Sequence, residues 1–109
     1  MPNTAVAKDR IFRVLADPSR RAIFESLTEG EAAVKDLTAR FDISQPAVSQ
    51  HLAVLKEAGL VHGRRAGRLV YYRVEPRGMK PLIDWIAHYQ AFWTERVKRL
   101  EKLLDRMEE

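Results

Sequence analysis

Residues 44–74, SQPAVSQHLAVLKEAGLVHGRRAGRLVYYRV, couple a short amphipathic helix with an uncharged outer face to a β-hairpin tipped with arginine. Ser44 is a good N-cap, and Pro46 is tolerated in a first turn, where backbone N–H groups lack intrahelical partners in any case. Val48, Leu52 and Leu55 recur at i, i+4 and i+7 as an inward stripe, and Gly59 closes the helix. Gln45, Ser49, Gln50 and Ala53 lie away from that stripe and are small enough for close approach to bases. From Ser44 to Leu55 no side chain is formally charged, and Lys56 and Glu57 enter only at the far end. A solvated face ordinarily carries charge; neutral amides and hydroxyls can instead bond base edges, glutamine bidentately to adenine.

The segment after the helix strengthens that reading. Leu60 and Val61 open one strand, and Leu69 to Val74 return as a run of β-branched and aromatic residues. Ala66 and Gly67 are expected to form the turn, with Arg64, Arg65 and Arg68 around its tip. A polar surface helix and a solvated arginine cluster are the plain alternatives. Their adjacency favours a helix for the major groove and a wing for the phosphates.

Charge is distributed accordingly. Residues 61–78 hold five arginines against Glu75, a net of +4 that equals the formal charge of the whole chain. Residues 1–60 balance eight basic against eight acidic side chains, and residues 79–109 balance six against six. A local basic patch attracts a polyanion and adds a salt-dependent, sequence-independent share of affinity. An anionic membrane is disfavoured as the partner, because the patch sits on a strand turn and not on an amphipathic helix.

The 109 residues predict a single domain, with residues 8–78 as helix-turn-helix core and wing and residues 79–107 as a long C-terminal helix. No apolar run is long enough to span a bilayer, and no secretory segment opens the chain, so a cytoplasmic location is expected. Zero cysteines exclude disulfides, thiolate metal sites and thiol switches. No acid-base pair, nucleophile triad or glycine-rich phosphate loop is recognisable, so neither an enzyme nor a cofactor is expected.

Ahead of the decisive stretch, residues 1–7 read as frayed and Lys8 to Ala16 as a first helix carrying Ile11, Phe12 and Leu15. Asp17 followed by Pro18 caps a second helix ending near Gly30, and a third runs from about Lys35 to Phe41. After the hairpin, Leu82, Ile86, Tyr89, Trp93, Val97, Leu100, Leu104 and Met107 recur at spacings 4, 3, 4, 4, 3, 4 and 3, widened by Trp85, Phe92 and Leu103. That pattern lies near an eleven-residue repeat, which keeps a stripe straight along a helix. Such a helix outruns a domain of this size, so a homodimer is expected. Its interface would comprise Ile11, Phe12, Trp85, Ile86, Tyr89, Trp93, Val97, Leu100 and Leu104. Trp85, Tyr89 and Trp93 could instead line a ligand pocket, and Arg96 could form an intersubunit salt bridge or extend to solvent.

The segments IFRVLADPSRRAIFESL, VKDLTARFDISQPAVSQHLAVLKEAGLV and RRAGRLVYYRV, in this order and spacing, resemble the ArsR/SmtB family over about Ile11 to Val74. The resemblance implies a mainly α winged helix-turn-helix with a small β-hairpin between the fourth and fifth helices. It further implies dimerisation through the terminal helices and repression by occupying operator DNA. Many members release DNA on binding metal. Where members have a thiolate site on the third helix, this chain has Ala33 and Lys35 around Val34; where members have ligands on the last helix, only Asp84 matches, and the other positions are Ile86, Val97 and Leu100. No metal site is therefore expected, and no effector is specified. Double-stranded DNA is the expected partner, through Ser44, Gln45, Ser49, Gln50, His51, Arg64, Arg65 and Arg68. An interaction module using the same helix and wing is the competing class, but it would expose apolar anchors where this face offers Gln, Ser and Arg.

Overall fold

The computed structural model describes residues 4–108. Five helices and a three-stranded antiparallel sheet follow in the order α1 (Thr4–Ala16), α2 (Pro18–Leu27), β1 (Ala32–Ala33), α3 (Val34–Phe41), α4 (Gln45–Glu57), β2 (Val61–Ala66), β3 (Leu69–Val74) and α5 (Lys80–Glu108). A 3-10 turn, Pro76–Met79, leads into α5. The mainly helical winged architecture is the one expected, with some corrections of detail.

The caps read from the sequence are present. Asp17 Oδ1 accepts from the Arg20 N–H at 2.9 Å, and Ser44 Oγ accepts from the Ala47 N–H at 3.2 Å. The Arg20 backbone donor is the main reason the Asp17 carboxyl is held below its ordinary pKa, aided by the nearby His51 and Arg20 charges. α3 starts differently from α2 and α4: Ala33 cannot cap, but Asp36 Oδ2 accepts from the Ala33 N–H at 3.0 Å. That contact supplies half of a capping box from inside the helix.

Four differences concern boundaries. α1 begins at Thr4, within the segment expected to fray, while residues 1–3 lie outside the described residues. α5 starts at Lys80, because Pro76–Met79 forms the 3-10 turn. The hairpin turn is Gly67–Arg68 and not Ala66–Gly67: Ala66 pairs with Leu69, and Gly67 takes φ +64° at the first turn position. With Arg68 at negative φ, these are the φ signs of a type II′ turn, where glycine is preferred first. Finally, Ala32 and Ala33 pair with Tyr72 and Tyr71, so β1 covers the free edge of β3 and ties the wing to the body.

One core unites these elements. Ile23, Leu37, Val48, Leu52, Leu55 and Leu60 are its most enclosed members, and Ile11 joins them at 2% exposure. The end of α4 is fixed to the wing by a Schellman closure, with Leu60 N–H on Leu55 O at 3.0 Å and Gly59 N–H on Lys56 O at 2.9 Å. Glu75 N–H then bonds Leu60 O at 2.9 Å, which clamps the base of the hairpin to the same residue. Gly78 passes so close that a Cβ there would lie 1.8 Å from the Gly59 carbonyl oxygen. The recognition helix and wing thus share one rigid junction.

α5 departs from the body. Met79 and Leu82 pack on the core, and Trp85 meets Phe12 edge-to-face at 5.4 Å, but every described residue from Ile83 onward is exposed. Its 29 residues run about 43 Å. The radius of gyration is 17.9 Å, against about 13 Å for a compact domain of this length.

Candidate nucleic-acid interface

The outer face of α4 is open. Ser44, Gln45, Ser49 and Gln50 are all exposed, because Val48, Leu52 and Leu55 take up the inward face at 0, 1 and 0% exposure. The Ser44 oxygen accepts the Ala47 amide, which leaves its hydroxyl hydrogen free to donate outward. His51 stands apart: it is half-buried, its Nδ1 is enclosed without a partner, and the ring lies near Asp17. Only its other nitrogen is available to a ligand.

The three arginines of the hairpin are not equivalent. Arg65 and Arg68 are exposed on β2 and at the turn. Arg64 is engaged twice, by Glu31 through Nε at 3.4 Å and Nη2 at 2.5 Å, and by the Tyr71 ring at 5.2 Å from its centroid. Tyr71 is its cross-strand neighbour, and Glu31 immediately precedes β1. The Arg64 hydrogen bond holds the Glu31 carboxyl below its ordinary pKa, with further help from the Arg64 and Arg73 charges, and Glu31 raises Arg64 in return. The pair was not legible beforehand, since its members lie 33 residues apart in sequence.

This difference gives a measurable ranking. For a hairpin that holds DNA phosphates, Arg64→Ala should reduce affinity and salt dependence by less than half as much as Arg68→Ala, because Arg64 would first have to leave the Glu31 carboxylate. Titrations over a range of salt concentrations provide the comparison, and equal effects would show that Arg64 is as available as its neighbours.

The start of α4 and the wing tip face one another across a cleft lined by both Gln45 and Arg68. The start of the neutral helix face and the basic tip therefore open onto the same cleft. No helix is long and apolar enough to cross a membrane among the described residues, and no group of three or more His, Cys, Asp or Glu side chains in them could hold a metal. Asp84 pairs with Lys80 at 2.8 Å, and His88 lies edge-on against Tyr89.

The second candidate surface is α5. Trp85, Ile86, Tyr89, Trp93, Val97, Leu100 and Leu104 remain 39–57% exposed, and Phe12 is 43% exposed beside them. Ile11, assigned to this surface from the sequence, is corrected: it faces inward at 2% exposure, since the helical period brings Ile11 and Val14 onto the core while Phe12 faces α5. Arg96 stacks on the Phe92 ring at 4.0 Å from its centroid within the chain. A groove of about 450 Å³ runs along Trp85, Tyr89, Trp93 and Val97. All its lining residues belong to α5, so it is a groove on one helix flank and not an enclosed pocket.

Comparison with known proteins bears on the class of the chain. The sequence pattern of the bacterial regulatory proteins of the arsR family matches residues 17–62. The HTH-type transcriptional regulator Rv2034 of Mycobacterium tuberculosis is 41% identical over 103 residues, 94% of each chain. The transcriptional repressor SdpR of Bacillus subtilis is 31% identical over 81 residues, 74% of this chain and 90% of that protein. Among solved structures, an ArsR family transcriptional regulator superposes with a TM-score of 0.71 at 30% identity, covering 86% of this chain and 97% of that one.

Proposed function

Since the chain belongs to the ArsR family and is a DNA-binding transcriptional regulator, we propose that it acts as a homodimeric repressor on an imperfectly palindromic operator. In this reading residues 8–78 bind DNA, residues 79–107 hold the dimer, and the chromosomal partner sets a cytoplasmic place of work. The observation that carries it is the joint exposure of the uncharged α4 face and the arginine tip around one cleft.

Each α4 enters a major groove, with the two copies 34–36 Å apart, about one turn of B-DNA. Gln45, Ser49 and Gln50 address base edges; Ser44 and His51 bond backbone or base. Arg65 and Arg68, with Arg64 after release from Glu31, hold phosphates or enter the minor groove at the outer ends.

A second copy on α5 is supported by area and shape. Taking aromatic side chains at roughly 150–250 Å² each, the exposed apolar face amounts to on the order of 1,000 Å² per chain. A standard interface buries about 800 Å² per partner, and the largest patch on a typical monomer is about 300–600 Å². A straight stripe on a straight helix suits a twofold mate of the same helix.

Selection of bound fragments from a random duplex library tests the whole reading. The expected product is an enriched inverted repeat with half-site centres about 10 base pairs, or a multiple of that, apart. Failure to enrich any sequence would overturn operator recognition, and enrichment of a single unrepeated half-site would overturn the dimer.

A further inference from the structure

We propose that Lys35, the second residue of α3, is a further DNA-contacting residue, and that the cleft between the start of α4 and the wing tip seats a backbone phosphodiester. The inference rests on the operator-binding reading above and assigns a specific role within it. The cleft has a volume of about 240 Å³ and brings Lys35 of α3, Gln45 of α4 and Arg68 of the hairpin turn together, with Val34, Leu69 and Tyr72 as apolar walls.

Geometry dictates what enters it. With α4 in the major groove and the wing at the adjoining minor groove, the strand that separates those grooves must pass between them, and that strand is sugar and phosphate. Gln45 and Arg68 stand on its two sides, and Lys35 faces it from the body.

The charge balance agrees. No carboxylate lines the cleft. Of the acidic side chains near in sequence, Asp36 accepts from the Ala33 N–H and Glu31 holds Arg64, while Asp42 closes the far end of α3 and does not line the cleft. Lys35 itself is exposed. An ammonium and a guanidinium facing one apolar-walled gap repel each other until an anion lies between them. Lysine suits this position as a compact point charge with rotatable donors.

The test compares wild type, Lys35→Ala, Lys35→Arg and, as a charge-matched control on the polar side of α5, Lys102→Ala. Affinity is measured for the selected duplex and for a random duplex from about 50 to about 200 mM salt. Lys35→Ala should weaken both duplexes by the same factor, about 10-fold for the dimer, and lower the log–log salt slope by about 0.9 per subunit. Lys35→Arg should restore most of the slope, and Lys102→Ala should leave it unchanged. Replacing single phosphodiesters by neutral methylphosphonates should reveal one position per half-site that matters less to Lys35→Ala than to wild type, the remainder being the share of Arg68. A salt-dependent wild type whose slope is untouched by Lys35→Ala overturns this assignment alone, as does a changed ratio of selected to random affinity. A wild type without salt-dependent DNA binding overturns the broader reading, and this one with it.

Discussion

Trp93→Glu is expected to yield a folded monomer whose operator affinity has fallen at least about 1,000-fold. Trp93 is 57% exposed in the single chain, its ring meets Phe92 edge-to-face at 5.2 Å, and it is not among the core residues, so its loss removes nothing from the core around Leu37, Leu52 and Leu55. In a twofold pair, the substitution places two carboxylates in an apolar seam, where Arg96 is already held on the Phe92 ring, and burying a poorly paired charge costs several kcal/mol. The pair should therefore come apart while each chain keeps its secondary structure.

The size of the effect follows from what the pair does on DNA. In the proposed dimer one recognition helix with its wing would make half the contacts, and the second half-site would contribute as a tethered, nearly intramolecular event. Losing it returns binding toward the non-specific range, about 10⁻⁴ to 10⁻⁶ M at physiological salt, from an operator range of about 10⁻⁸ to 10⁻¹¹ M. Sedimentation equilibrium gives the mass, circular dichroism the fold, and fluorescence anisotropy the affinity. Trp93→Phe should remain dimeric and bind. A Trp93→Glu protein that stays dimeric with full affinity would remove α5 from the interface.

The local rules of helix ends and stripes account for most of what could be read in advance. Asp17 with Pro18, Ser44 with Pro46, and Gly59 each act through neighbours within five residues, and each sits where its chemistry requires. The inward stripe of α4 is likewise local. What escaped the sequence depends on distant partners. Ala32 and Ala33 have no strand signature and become β1 only because β3 offers them an edge. Ile11 and Phe12 are adjacent apolar residues, and periodicity alone does not tell which one the core takes. The Glu31–Arg64 pair joins positions 33 residues apart, and the cleft sets Lys35 opposite Arg68 across a similar stretch of chain. The turn shifted by one residue because glycine is needed where φ is positive, at the first of two turn positions, which moves Arg68 from the flank into the turn itself.

Gln50→Ala should change which sequence is bound, whereas Arg68→Ala should change how tightly any sequence is bound. Gln50 is exposed on α4, beside a Leu52 that is fixed in the core at 1% exposure, so its amide is presented from a backbone that cannot easily adapt. A bidentate amide–adenine contact discriminates by about 1–3 kcal/mol, and a dimer makes it twice, so the selected operator should lose about 2–6 kcal/mol. Random duplex should lose almost nothing, because it never offered the matching base. Arg68 reads charge, so its loss should weaken selected and random duplexes by equal factors and lower the salt slope by about one per subunit. The two variants thus separate along different axes, one in base preference at a symmetric pair of positions and the other in ionic strength. Repeating the library selection with Gln50→Ala should give a motif degenerate at that pair alone. An unchanged motif would move base reading to Gln45 or Ser49, and a uniform loss on all sequences would make Gln50 a backbone contact.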